Sequence, residues 1–208
     1  MDWTNLMPLI VAILVAIGVP FAAWSLRKTG RSKAEEFAQH LKEIGVKASL
    51  LAEGADEGSK PRKRFWGQRA VGRIKVEEGN IDSIDVIGVA SQYGVNYYLD
   101  YLVARPTFTT ATKRKKTTMS TKKTSLFRGR VVDVQWRGDA TLAPRLNNDY
   151  GLKGLLLQAD LSAIKGGSIS IHPEPKREHA RIRTGYGLID ASLYEALDAV
   201  AGHIKSWY

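Results

Sequence analysis

The most distinctive hydrophobic pattern of the chain is an uncharged apolar run near the amino terminus. No charged residue occurs from residue 3 to residue 26, and all charge other than Asp2 lies beyond that run. As a helix, residues 5–26 would extend about 33 Å, slightly more than the roughly 30 Å hydrocarbon core of a bilayer. The run is apolar on all sides, which argues against a buried helix of a globular domain. It is also too long for a cleaved signal peptide, and no basic residue precedes it. The pattern predicts a single transmembrane anchor over residues 1–27.

The charges on either side of this run predict its orientation. Asp2 precedes the run, whereas basic residues follow it within a few positions. Because positive charge is retained on the cytoplasmic side, we expect a cell-membrane protein with its amino terminus outside and its bulk in the cytoplasm. Indole and basic side chains near the ends of a span favour the headgroup boundary. The candidate interface anchors are Trp3, Trp24, Arg27 and Lys28.

Small residues within the run are spaced for contact with another helix. Two pairs are separated by three positions, and this spacing lets helix backbones approach closely in a membrane. The candidate helix-packing residues are Ala12, Ala16, Gly18 and Ala22.

The layout of the first 45 residues resembles that of type IV pilins and pseudopilins. An apolar helix containing Pro20 is followed by an amphipathic helix and then by a mixed head domain. The resemblance implies a filament or secretion-system subunit with an external head, opposite to the orientation expected from charge. Asn5 stands where that family has glutamate, and no basic, glycine-terminated leader precedes the helix.

Beyond the anchor, the pattern becomes that of a soluble helix followed by a loop. Apolar residues recur at spacings of three and four from Ala34 to Ile44, and Gly45 is a natural end. Ser32 and Glu35 have the spacing of a capping box. We therefore expect a juxtamembrane amphipathic helix within residues 28–52. Residues 53–64 are rich in glycine and charge, which predicts a linker or exposed loop.

Alternation with a period of two follows from residue 65 onward. Residues 70–77, a segment beginning at Ile84, residues 95–104 and residues 126–136 all alternate in this way. Gly79 and Asn80 provide turn chemistry between the first two segments. This succession predicts an antiparallel β-meander.

Helical patterns dominate the last third of the chain. The spacing predicts helices at 141–148 and 152–164, a hairpin from 168–172 and 180–184, and a final helix with a capping box at Ser192 and Glu195. The apolar stripe of that last helix comprises Leu193, Leu197, Val200, Ala201 and Ile204. Strands followed by helices predict an α+β domain over residues 65–208.

Charge is distributed unevenly along the chain. Residues 27–76 contain 13 basic and 6 acidic residues, residues 77–104 contain 5 acidic and no basic ones, and residues 105–130 contain 9 basic and no acidic ones. Residues 131–208 contain 9 of each. The net charge of +10 is therefore concentrated beside the anchor and in one insertion between strands.

That insertion, residues 107–125, is called the basic arm and contains eight threonines. Threonine favours strands, so the arm could form a two-stranded extension; repulsion between its cations instead favours a loop. Exposed cations attract phosphates, either of anionic lipid or of nucleic acid. A solvated loop that contacts neither is the simplest alternative. The candidate polyanion-contact residues are Lys113, Arg114, Lys115, Lys116, Lys122 and Lys123, together with Arg62, Lys63 and Arg64 of the linker.

Motifs for catalysis and for cofactor binding are not found. The chain has no cysteine, which excludes disulfides, cysteine metal sites and a cysteine nucleophile. It contains no phosphate-binding glycine loop or metalloprotease motif. His172 and His179 could face each other across the late hairpin, but the sequence gives them no third metal ligand. Arg181 and Arg183 alternate on one strand face, either as an anion site or as a solvated face. We expect no cofactor and no metal, and no small-molecule substrate is evident.

These observations favour a non-enzymatic, single-pass accessory, scaffold or interaction protein. Its expected partners are membrane lipid and either a protein partner or a second copy of itself. A membrane-tethered nucleic-acid-binding module is the main alternative, followed by the pilin-like subunit. An enzyme without a recognisable motif is the reading that the sequence supports least.

Overall fold

The computed structural model describes residues 29–51, 68–92, 94–104, 114–125, 130–175 and 178–206. Within these ranges, helix α1 covers residues 29–43. The other helices are α2 (Leu142–Asn147), α3 (Tyr150–Gln158) and α4 (Ala191–Lys205). The strands are β1 (Ala48–Leu50), β2 (Gln68–Val76), β3 (Ser83–Ser91), β4 (Gly94–Ala104), β5 (Thr117–Lys123), β6 (Val131–Arg137), β7 (Ser170–Glu174) and β8 (His179–Gly185).

The described strands form one sheet in the order β1-β2-β3-β4-β8-β7-β5-β6. Every pairing in it is antiparallel, and β2, β3 and β4 form the predicted meander. The late hairpin β7–β8 is inserted between β4 and β5, so β6 is not a neighbour of the meander. The predicted α+β class with an antiparallel sheet is confirmed.

The two faces of the sheet differ in chemistry because successive residues point to opposite sides. One face presents buried apolar side chains, such as Leu99 and Ile182, to the helices. Phe37 of α1 and Leu197 of α4 belong to the same continuous core. The predicted stripe of α4 is entirely buried. The other face carries charged residues on β2, β3, β4 and β8.

Helix α1 is part of this core, and it runs beside β2. Its residues Ala34, Phe37 and Leu41 are fully buried. Gly30, at its beginning, packs so closely on Val71 that a Cβ there would collide with the valine side chain. The helix ends as predicted at Gly45, whose φ is +87°.

The end of α1 is a Schellman motif. Val46 N–H donates to the carbonyl of Leu41 at 2.8 Å, and Gly45 N–H donates to that of Lys42 at 3.0 Å.

Two expectations for residues 28–52 need correction. Ser32 lies inside α1 and does not cap it, because the chain is already helical at residue 29. The range also contains β1, which pairs with β2. Helix α1 and β1 thus belong to the same core and sheet as the strands that follow residue 65.

The expected basic arm is also different in the structure. Residues 117–123 form β5, which lies inside the sheet between β7 and β6. Thr117 and Met119 are buried, so this threonine-rich segment supplies part of the core face. The second half of the arm is thus neither a protruding extension nor a loop, and residues 105–113 lie outside the described residues.

The later helices keep their predicted positions but not all of their predicted ends. Helix α3 ends at Gln158 and not at residue 164, since Asp160 accepts hydrogen bonds from the N–H and hydroxyl of Ser162 and forms a local turn. Helix α4 is capped by Asp190, whose carboxylate accepts from Leu193 N–H at 2.7 Å. Ser192 is therefore not the cap.

The predicted transmembrane anchor at residues 1–27 and the linker at 53–64 lie outside the described residues. Within the described ranges, no helix is both long enough and apolar enough to cross a membrane.

Candidate functional site

The candidate polyanion-contact residues fall partly within the described ranges. Those that do are Arg114, Lys115, Lys116, Lys122 and Lys123. The remaining sequence-predicted residues lie outside: Lys113, Arg62, Lys63, Arg64, Trp3, Trp24, Arg27, Lys28, Ala12, Ala16, Gly18 and Ala22.

Strand β5 separates the described basic residues into two groups. Lys115 and Lys116 precede the strand, whereas Lys122 and Lys123 end it, and all four are exposed. Six strand residues at about 3.3 Å each place Lys116 and Lys122 roughly 20 Å apart. Their closeness in the sequence predicts one cluster of charge, but in the structure the two pairs of lysines lie at opposite ends of β5.

Arg114 belongs to a structural contact and is largely removed from solvent. Its side chain is 12% exposed, and its Nη1 lies 3.9 Å from Oδ1 of the buried Asp139. Asp139 also accepts hydrogen bonds from the backbone N–H groups of Lys115, Thr141 and Leu142. Burial opposes ionisation of Asp139, but these donors and Arg114 outweigh it and lower the pKa of the carboxyl. Arg114 is therefore not one of the exposed cations through which the arm was expected to attract phosphates.

Lys123 and Arg130 line a cavity of about 640 Å³ at the end of β5. The opposite wall is the segment after α3, including Leu161, Gly166 and Gly167. Asp160 also lines the cavity, and its low pKa reflects hydrogen bonds from Ser162. Arg130 was missed as a candidate, although it belongs to the same basic segment of the sequence as Lys123.

The segment between α3 and β7 connects this cavity to the beginning of α1. Lys165 Nζ donates to Asn96 Oδ1 at 2.7 Å, near the start of β4. Gly187 packs against the backbone of Ala163, so closely that it has no room for a Cβ. The neighbouring Tyr186 hydroxyl donates to the Lys33 carbonyl of α1 at 2.9 Å. Because a β-sheet twists, strand direction alone does not show which parts of the domain lie at the same end. These contacts place the segment after α3 and the beginning of the described part of α1 at the same end.

We call this region the proximal end. It comprises the beginning of α1 (residues 29–33), the tip of the β3–β4 hairpin, the segment 159–167, and Lys122, Lys123 and Arg130. The opposite, distal end contains the β2–β3 connection with the exposed residues Glu77, Glu78 and Asp82. The distal end also carries the exposed Lys115 and Lys116, and its Glu78 and Asp82 pair with Lys47 and Lys205. Exposed charge is therefore mixed at the distal end, whereas Lys122, Lys123 and Arg130 form a basic group at the proximal end.

A row of buried ion pairs crosses the sheet face that carries the charged residues. Asp85 and Asp100 are directly opposite each other on β3 and β4, and both are fully buried. Arg73 Nε donates to Asp85 at 2.6 Å. Arg183 donates to both oxygens of Asp100 at 2.6 and 2.8 Å, and Arg181 adds a contact at 3.2 Å. Arg181 and Arg183 are therefore partners of a buried carboxylate within the sheet.

The two hairpin histidines do not face each other. His172 is opposite Arg181, and His179 is opposite Glu174, whose Oε2 lies 3.1 Å from its Nε2. Burial and the neighbouring cations Arg181, Lys116 and Arg183 lower the pKa of His172 to about 4. In the described part of the chain, no group of three histidine or acidic side chains is arranged to hold a metal ion.

Ser170 and His172 form the one described contact that resembles a nucleophile and its base. Ser170 Oγ and His172 Nε2 are 3.0 Å apart. Such a pair needs a space in which a substrate can reach the hydroxyl. Neither residue lines the cavity beside Lys123 or a second groove, which lies between the turn after α1 and helix α4 and is lined by residues such as Gly45 and Tyr194.

Comparison with known proteins adds no identification. No protein-family model matches the chain, and no curated protein or solved structure is significantly similar to it.

Proposed function

We propose that this chain is a single-pass, membrane-anchored accessory protein whose α+β domain contacts anionic lipid through its proximal end. The anchor is the apolar run predicted over residues 1–27, and the orientation expected from charge places the domain in the cytoplasm. A protein partner or a second copy of the chain remains part of the proposal, as expected of an accessory domain.

The observation that carries the proposal is that the described part of α1 starts at the same end of the domain as the exposed Lys122, Lys123 and Arg130. The chain leaves the predicted span after Leu26 and reaches Gly30, which packs on Val71. Contacts through Tyr186 and Lys165 then connect this point to the cavity beside Lys123 and Arg130. Tethering by residue 29 therefore holds these cations close to the membrane surface.

Electrostatics favour lipid as the polyanion at this location. Each lysine or arginine near an anionic leaflet contributes about 1 kcal/mol to attraction. Most acidic side chains at the proximal end already have a partner. Glu35 and Glu36 form ion pairs with Arg31 and Lys33. Asp160 accepts a hydrogen bond from the hydroxyl of Ser162. Lys122, Lys123 and Arg130 remain exposed.

The test compares the full-length chain in nanodiscs of phosphatidylcholine with discs that also contain phosphatidylglycerol. Hydrogen exchange, measured by mass spectrometry, should be slower around residues 121–125 and 130–131 in the anionic discs, and high salt should remove the difference. Replacing Lys122 and Lys123 by glutamine should abolish the effect.

The matched control replaces Lys115 and Lys116 by glutamine, which removes the same charge from the other end of β5. This variant should keep the slower exchange. Equal exchange in the two lipids, or equal losses in the two double variants, would refute the proposed lipid contact.

A further inference from the structure

We infer that the tip of the β3–β4 hairpin, residues 89–92 and 94–95, lies in the headgroup layer of the bilayer. The inference rests on the proposed function, because it assumes that residues before α1 span the membrane. It adds a specific element of contact: an uncharged hairpin that enters the lipid surface between the flanking cations.

The reach of the hairpin is the first argument. Val71, which contacts Gly30, lies between the register pairs Ala70–Ile87 and Gly72–Val86. From Ile87 to Ser91 the strand advances about 13 Å beyond this level, at roughly 3.3 Å per residue. The tip therefore projects toward the membrane from the point at which α1 begins.

The length of chain between the predicted span and α1 is the second argument. Gly30 is four positions beyond Leu26, which corresponds to about 6 Å in a helix and at most about 14 Å in an extended chain. The headgroup layer on each side of a bilayer is roughly 5–8 Å thick. With an extended connection, a tip about 13 Å closer to the membrane than Gly30 lies inside this layer, whereas a helical connection would carry it about 7 Å beyond the layer. The inference therefore corresponds to a nearly extended connection.

The hairpin also has the chemistry of an interfacial element, because it carries no charge. No charged residue occurs from residue 86 to residue 99, between the buried carboxylates of Asp85 and Asp100. The described tip residues Ala90, Ser91, Gln92, Gly94 and Val95 are all exposed. Val95 is 36% exposed and is among the few large apolar side chains that remain accessible in the described ranges. An uncharged tip loses little hydration energy when it enters an interface.

The surroundings of the hairpin complete the argument. Lys165 lies beside Asn96 at its base, where an ammonium group can meet lipid phosphate. The distal β2–β3 connection instead exposes Glu77, which an anionic leaflet would repel, and Glu78, which pairs with Lys47 at 2.6 Å. The chemistry of these two turns thus favours the uncharged one at the lipid surface.

The experiment uses the absence of cysteine from the chain. The full-length chain carrying Gln92→Cys is labelled with a fluorophore and reconstituted in phosphatidylcholine vesicles, with and without phosphatidylglycerol. A matched variant, Glu77→Cys, carries the same label at the distal end. Lipids with a nitroxide on the headgroup should quench the label at position 92 several-fold more strongly than that at position 77. Equal quenching at the two positions would overturn the inference.

A charge substitution separates this inference from the proposed function. Val95→Asp in the Gln92→Cys chain should reduce quenching at position 92, whereas Val95→Asn should largely retain it. Quenching in neutral vesicles that persists in the Lys122→Gln, Lys123→Gln variant supports the hairpin contact even if the cations do not bind lipid. Slow exchange at the end of β5 without quenching at position 92 supports the proposed function and refutes the hairpin contact.

Discussion

Asp85 and Asp100 lie opposite each other on neighbouring strands, an arrangement that would be destabilising if their charges were uncompensated. Arg73 and Arg183 provide that compensation through paired hydrogen bonds. Removing one partner leaves a buried charge unpaired, which typically costs about 3–5 kcal/mol. Asp100→Asn should therefore lower the free energy of unfolding by an amount of this order, measured by urea unfolding of the full-length chain in mild detergent.

The control for this substitution is Asp133→Asn. Asp133 forms an exposed pair with Lys153 at 2.6 Å, and pairs of this kind contribute little to stability. The unfolding free energy of the Asp133→Asn variant should equal that of the unsubstituted chain within the error of the measurement. A similar loss of unfolding free energy in both variants would show that the buried ion pairs stabilise the domain no more than an exposed pair does.

His172 gives the domain a defined response to acid. Its pKa is about 4 in the folded chain, below the ordinary value of 6.5, because burial and the adjacent Arg181, Lys116 and Arg183 disfavour its cation. Between these values the unfolded chain binds a proton that the folded chain does not. Stability should therefore be retained above about pH 6.5 and should decline as the pH falls toward 4.

Two measurements check the behaviour of His172. A histidine NMR titration, assigned with His172→Gln, should show this imidazole neutral until about pH 4. The variant should also lose less stability than the parent chain between pH 6.5 and pH 4. Protonation of His172 near pH 6.5 would contradict the prediction.

At the scale of elements, the ends of α4 show where sequence patterns were sufficient and where they were not. The apolar stripe from Leu193 to Ile204 predicted the buried face correctly, because helical periodicity is a local property. The cap was misplaced, since Ser192 and Asp190 both have side chains able to accept from the first turn. Only the folded chain shows that Asp190 is oriented to do so, while its second oxygen accepts from Asp160 N–H at 2.9 Å.

Substitution of these two residues distinguishes the caps directly. Asp190→Ala should destabilise the domain by about 0.5–2 kcal/mol through loss of the cap. Ser192→Ala should have a much smaller effect, since Ser192 lies inside the first turn of α4. Thermal unfolding of both full-length variants in detergent measures the difference. A larger loss in the serine variant would favour the capping box that the sequence predicted.

Strand β5 illustrates what could not be read from the sequence. Threonine and lysine are compatible with a strand, an arm or a loop, and the choice depends on non-local partners. Residues 170 and 171 of β7 and the whole of β6 supply these partners in the folded chain. The basic composition was evident from the sequence, but the separation of Lys116 from Lys122 depends on this pairing. The proximal end depends in the same way on long-range contacts, such as that between Lys33 and Tyr186.

At the scale of the whole molecule, the anchor and the domain should be separable. The continuous core that the structure describes lies between residues 34 and 204, and we expect it to form without the first 26 residues. A chain of residues 27–208 should remain folded, as judged by circular dichroism, and should stay in the supernatant when membranes are sedimented. It should bind vesicles containing phosphatidylglycerol but not vesicles of phosphatidylcholine alone. Binding should weaken steeply with salt, because exposed charges are screened beyond about 10 Å at 0.1 M ionic strength.

The same shortened chain measures how much the end of β5 contributes once the tether is gone. At about 1 kcal/mol per cation, replacing Lys122 and Lys123 by glutamine should weaken binding to anionic vesicles roughly 30-fold. Replacing Lys115 and Lys116 should weaken binding clearly less. These two lysines lie at the distal end of β5, which faces away from the leaflet when the proximal end contacts it. If the two double variants lose the same affinity, the domain has no preferred orientation and its attraction to lipid reflects net charge alone. A preference for the proximal end without the tether would instead mean that the fold itself, and not the anchor, directs these cations toward the membrane.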